Sequence, residues 1–177
     1  MASSDPSLIP AIAKWIWNIR PKTVLDVGCG FGRYGFLCRE ILEVYHGRYT
    51  KDEWKTKIDA VEIFYQFINT PVHQYLYDNI MIGDIRKIEI KDYDLIILGD
   101  ILEHMPKEDG LKLVEDLRKK CSWLLIQTPF GEMKQKMVFN NPSEEHVSFY
   151  YPEDFSHYYG QTEMTDKVFA ILIRGEL

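Results

Sequence analysis

Four acidic residues stand where short apolar runs end. They are Asp26 in TVLDV, Glu62 in KIDAVEI, Asp84 after NIMIG and Asp100 after YDLIILG. Each run has the length and apolar continuity of a buried strand. In an open parallel sheet, ligands sit beyond the strand carboxyl ends, so four consecutive strands deliver four carboxylates to one edge. An acid ending the second strand can accept both ribose hydroxyls of an adenosine. Asp84 can accept from an exocyclic adenine amine. Asp is also the residue type that caps a following helix, a reading open to Asp84 and Asp100.

The first acid precedes a glycine-rich turn, VLDVGCGFGRYG, that has two frames. Gly28, Gly30 and Gly32 make G-x-G-x-G. Gly30, Gly32 and Gly35 make G-x-G-x-x-G, the spacing that seats a dinucleotide pyrophosphate. A carboxylate at Asp26 repels a pyrophosphate at close range and favours a cation. The inferred ligand is an adenosine with positive charge at its other end and no phosphates. An NAD-dependent oxidoreductase is the rival that the second frame keeps open.

The elements that must position these residues follow from the pattern. Residues 7–19 read as a helix with Trp15 and Trp17, within an N-terminal helical region 1–20. Strands fall at 23–27, 57–63, 79–83, 93–99 and 121–127, and helices at 32–46 and 107–120. Between the second and third strands a helix near 65–76 is brief and broken by Pro71. Another helix begins near Tyr151-Pro152-Glu153-Asp154-Phe155, with Pro in its first turn. An antiparallel pair closes the chain at 161–165 and 167–174. The expected fold is α/β, a Rossmann-like, doubly wound, mostly parallel sheet with an antiparallel C-terminal strand pair. Residues 1–177 read as a single domain with a surface insertion at 47–57.

The segments VLDVGCGFG, DAVEI, IGDI, YDLIILGDILEHM and LLIQTPFGE occur in the order found in class I S-adenosylmethionine (SAM)-dependent methyltransferases, and the chain resembles that family over residues 22–132. The resemblance implies that Asp26, Gly28 and Gly30 surround the methionine part of SAM, with Asp100 beside its methionine end. It implies ribose binding by Glu62, adenine packing by Ile63, and adenine-edge contacts from Asp84 and Ile85. Cys29 either packs or offers its backbone to the cofactor. Glu62 falls later after the glycines than the usual spacing, by the length of the insertion.

Two subclass signatures are missing. Gly99-Asp100-Ile101-Leu102 replaces the N-P-P-Y-like tetrad of nitrogen methyltransferases, and Gln127-Thr128-Pro129 replaces the Asp-Asn of the catechol type. Asp100, Glu103 and His104, at i, i+3 and i+4, would share a face on one helical turn. With His146 they resemble the metal-binding set of small-RNA 2′-O-methyltransferases and some quinone-pathway O-methyltransferases, which implies a divalent ion. In metal-free relatives His104 acts as a base or orients the substrate, so both roles stay open for it. His146 lies in 130–151, a stretch rich in Met and aromatics that either covers the acceptor as a lid or packs on the sheet edge. His46, His73 and His157 read as surface residues.

Composition narrows the partners. A net charge of −6 is a poor match to a nucleic-acid backbone, and the resemblance implies a small-molecule acceptor, methylated at oxygen. The basic residues of 48–57 are diluted by acids and read as a solvated loop. Three cysteines without C-x-x-C spacing, no leader pattern and no long apolar run point to a cytoplasmic protein away from membranes. A non-catalytic, cofactor-binding partner subunit is the non-enzymatic alternative.

Overall fold

The structure is a computed structural model, and it describes residues 5–68, 71–138 and 140–177. Seven strands form one sheet: β1 (Thr23–Val27), β2 (Lys57–Glu62), β3 (Asn79–Ile82), β4 (Tyr93–Gly99), β5 (Cys121–Pro129), β6 (Gly160–Met164) and β7 (Val168–Arg174). Their order is β3-β2-β1-β4-β5-β7-β6. Neighbours from β3 to β5 pair in parallel, while β7 runs antiparallel to both β5 and β6. The expected architecture and C-terminal strand pair are therefore present.

The two-residue period of the strands sorts their side chains to two faces. Leu25, Val27, Ile96 and Leu98 join Leu113, Val114 and Leu117 of α4 (Lys107–Arg118) in one core. Val24, Ile58, Leu95 and Ile97 join the other, against Ile12 and Ile16 of α1 (Ile9–Ile19) and Cys38 of α2 (Arg33–Leu42). Leu76 of α3 (Pro71–Leu76) completes that layer. The chain winds outward from β1 to β3 and returns at β4, so β1 and β4 flank the switch point.

Several elements differ from expectation. The helix expected over 32–46 ends at Leu42, and a 3-10 turn spans Val44–His46. The buried Glu43 carboxylate explains the stop: it accepts from the amides of Lys55 and Thr56 at 3.0 and 2.6 Å and from Arg48 Nε at 2.5 Å. The 47–57 excursion is thus exposed over much of its length but tied to the core through Glu43 and through the buried Arg39, whose Nη1 donates to Thr56 O at 2.6 Å. Pro71 begins α3 rather than breaking a helix; a 3-10 turn over Tyr65–Ile68 precedes it. No α-helix follows Tyr151 among the described residues. Pro152–Phe155 makes one 3-10 turn, Phe155 plugs into the core, and the chain enters β6 four residues after Ser156. Strand β5 runs to Pro129 because Thr128 and Pro129 pair with Phe169 and Val168. Trp15 is core, donating from Nε1 to Gln161 Oε1 at 2.9 Å, whereas Trp17 is half-buried against Tyr45 and His46.

Candidate functional site

Two adjoining cavities open beyond β1, β2 and β4. One, of about 90 Å³, is lined by Gly28, Cys29, Gly30, Tyr34, Glu62 and Asp100 and faced by Asn141 and Glu144. The other, of about 300 Å³, is lined by Ile63, Asp84, Ile85, Arg86, Met105 and Pro142. Gly28, Ile63, Ile101, His104 and Ser143 border both. One elongated ligand crossing that shared wall would occupy the two together.

The glycine turn is shaped by backbone that side chains disfavour. Gly28, Gly30 and Gly32 have φ of 68°, 50° and 87°. A Cβ on Gly28 would lie 2.0 Å from Ile101 Cδ1. The Gly28 amide donates to the Val61 carbonyl at 2.7 Å, and the Gly30 amide donates to Glu62 Oε2 at 2.9 Å. Glu62 Oε1 accepts from the Phe64 amide at 2.8 Å. Each carboxylate oxygen still has a lone pair for a ligand hydroxyl.

Asp26 lies elsewhere than the sequence reading put it. It is fully buried and absent from both cavity walls. The β-strand period turns it toward the α2–α3 layer, where Tyr77 Oη donates to Oδ2 at 2.6 Å. Burial pushes its pKa up to about 7, against the Tyr77 and Gly35 hydrogen bonds that hold it down. Its influence on a ligand is exerted through the glycine turn, and it is not a full negative charge at neutral pH.

Asp84 caps the 3-10 turn Ile85–Lys87 through the Arg86 amide at 3.0 Å and pairs with the Arg86 guanidinium at 2.8 Å. That pairing holds its carboxyl below the usual carboxylate range. The capping reading of Asp84 is therefore realised, within the wall of the larger cavity. Asp100 has φ 53°, and its amide donates to Gln127 O at 2.8 Å.

That left-handed residue changes the expected metal set. Glu103 and His104 lie on a 3-10 turn, Leu102–His104, which Asp100 precedes without sharing its helical path. Glu103, His104 and His146 each bring one ligand atom within 4.8 Å of the others, and Asp100 is outside that group. The His104 and His146 rings are 5.0 Å apart. His104 Nδ1 lies 3.1 Å from Glu145 O, and His146 Nδ1 lies 2.6 Å from Met133 O. A carbonyl only accepts, so these two contacts call for a proton on each Nδ1, and the His104 ring is also hydrogen-bonded to the Asp100 backbone. Burial pushes the His104 pKa down to about 4 and lowers that of His146. Burial, then the charge of Asp100, drives the Glu103 pKa well up. Glu103 Oε2 accepts from Thr128 Oγ1 at 3.1 Å, and buried Oε1 has no partner. Two neutral imidazoles and an unsatisfied carboxyl oxygen fit a divalent cation.

Residues 130–138 and 140–151 lie across this edge. The Val147 and Ser148 amides donate to Glu103 O at 2.8 and 3.1 Å. Asn141, Ser143 and Glu144 face the smaller cavity.

The sequence pattern of a family described as a methyltransferase domain matches residues 6–162. The chain belongs to that family. Among solved structures, a SAM-dependent methyltransferase from Archaeoglobus fulgidus is 15% identical, with TM-score 0.65, covering 96% of this chain and 94% of that one. The N-terminal domain of EvdMO1, solved in the presence of S-adenosylhomocysteine (SAH) and D-fucose, is 11% identical, with TM-score 0.64, covering 98% and 85%. The small RNA methyltransferase HEN1 is 18% identical, with TM-score 0.65; the match takes in 100% of this chain but 26% of that one. Among curated proteins, none matches in sequence. The protein is thus a methyltransferase domain, with the fold of these SAM-dependent structures. No described helix is long and apolar enough to cross a membrane.

The sequence reading of this methyltransferase missed two residues that brace the glycine turn. His73 is 1% exposed, and its Nε2 lies 2.6 Å from Gly30 O. Tyr77 holds Asp26. The signal was present: His73, Leu76 and Tyr77 stand at i, i+3 and i+4, one face of a helix. His46 and His157 are exposed as expected.

Proposed function

We propose that this methyltransferase moves the methyl group of SAM to a hydroxyl of a small-molecule acceptor by in-line displacement at the sulfonium. In this reading the adenine lies among Ile63, Asp84 and Ile85, and the ribose hydroxyls meet Glu62. The methionine part follows Gly28, Cys29 and Gly30 toward Asp100. Glu62, Asp100 and Glu144 around the smaller cavity complement a cationic donor. The donor is already activated, so alignment and exclusion of water carry much of the rate.

The observation that carries oxygen as the accepting atom is the Glu103–His104–His146 group at the cavity edge. An alcohol needs help to lose its proton. His104, with its pKa near 4, is a weak base at neutral pH. The group serves better as a seat for a divalent ion, which when bound would acidify a hydroxyl acceptor. Within it, His104 and His146 orient through their carbonyl-held Nδ1 protons.

The net charge of −6 favours a small acceptor over a polyanion. A second reading, an RNA 2′-hydroxyl, is favoured by the likeness to HEN1 over the full length of this chain. The test is transfer from methyl-labelled SAM to a panel of sugars, phenols, amines and short RNAs, with manganese and with chelator. Label on hydroxylated small molecules, lost with chelator, is the expected result. Label on RNA alone selects the second reading, and label on amines alone contradicts both.

A further inference from the structure

Gly30 is held on both sides. Its amide donates to Glu62 Oε2 at 2.9 Å, and its carbonyl accepts from His73 Nε2 at 2.6 Å. Gly30 has φ 50° and no side chain to restrain it, so the first bond orients the peptide before it and the second the peptide after it, in the turn that lines the smaller cavity. His73 is 1% exposed on α3, outside both cavity walls. Its ring lies 6.1 Å from that of Tyr77, which grips Asp26 beneath the same turn. A titratable side chain is thus buried deeply, away from any reacting atom, with its donor aimed at the cofactor loop.

We propose that His73 is a positioning residue: its Nε2–H fixes the peptide that follows Gly30, and with it the course of the glycine turn, in the orientation that binds the amino-acid end of SAM. This rests on the placement of SAM given above. Loss of the donor leaves the part-buried Gly30 carbonyl without that partner and lets the peptide after Gly30 rotate. The effect should concentrate on the methionine half of the ligand, because Gly30 lines the smaller cavity and not the larger one that holds Asp84 and Ile85.

The experiment compares His73→Leu and His73→Gln in the full chain. Leucine removes the donor at similar size, while glutamine places an amide N–H near the position of Nε2. Calorimetry reads the affinity for SAH and for 5′-methylthioadenosine, which keeps the adenosine and sulfur but lacks the amino-acid end. The expected result is SAH binding weakened about tenfold in His73→Leu, 5′-methylthioadenosine changed by less than about twofold, and SAH binding largely restored in His73→Gln. Equal losses for both ligands would mean a merely structural role and overturn the proposal, as would unchanged SAH binding in His73→Leu. If His73→Leu fails to fold, His73→Asn, whose amide is too short to reach, replaces it against His73→Gln under the same criteria. Wild-type protein that binds neither ligand would instead refute the placement of SAM, a separate failure.

Discussion

Tyr77 Oη and Asp26 Oδ2 share a 2.6 Å hydrogen bond beneath the glycine turn, inside the core rather than in the cavity. Asp26 is a buried acid whose folded pKa, about 7, lies above the unfolded value of 3.8. The native state therefore binds more protons than the unfolded chain between those values, and stability falls as pH rises through that window. Asp26→Asn should stabilise the ligand-free protein by roughly 2–4 kcal/mol at pH 8, with the difference shrinking toward pH 4. Urea unfolding at several pH values measures it. A constant difference across the range would contradict the raised pKa.

Gly28 meets Ile101 where the two cavities join. Gly28→Ala adds a Cβ 2.0 Å from Ile101 Cδ1 at φ 68°. It should lower the melting temperature and weaken SAH binding. Adding Ile101→Ala relieves the collision but leaves a left-handed alanine, which keeps a penalty of about 1–2 kcal/mol. Thermal melts of the single and double variants separate the two contributions. A double variant no more stable than Gly28→Ala would show that the collision is not what destabilises it.

Burial drives the Glu103 pKa up and those of His104 and His146 down. Manganese binding, which needs the Glu103 carboxylate, should therefore release protons, and its affinity should rise with pH. Titrations in buffers of different ionisation enthalpy count them. In Glu103→Gln both the proton release and most of the affinity should disappear. Binding with no buffer dependence, or equal binding in wild type and variant, removes this group as the ion's seat.

Strand placement was legible because the parallel strands are buried on both faces, so TVLDV and YDLIILG read as continuous apolar runs. The C-terminal hairpin was legible for the same reason in β7. What escaped depended on contacts between distant segments. Helix α2 stops at Leu42 because Glu43 is recruited by Lys55 and Thr56. The Pro152 start signal yields one turn because Phe155 is claimed by the core. Among site residues, the i, i+3, i+4 spacing joins Glu103 to His104, while Asp100 lies outside the group these form with His146, since no spacing rule anticipates φ 53° at a non-glycine residue. Asp26 was assigned by its place before the glycines, although strand alternation turns it away from the cavity. His73 stands beside no motif in the sequence, and only the packing of α3 under the glycine turn brings it to Gly30.

Glu62 joins the glycine turn to β2 and keeps an open lone pair on each oxygen. Calorimetric titration of SAH into wild type and Glu62→Ala tests the cofactor site most directly. Saturable binding to wild type, weakened at least about tenfold in Glu62→Ala, is the predicted result. No heat at millimolar SAH, or equal affinity in the two proteins, would contradict it.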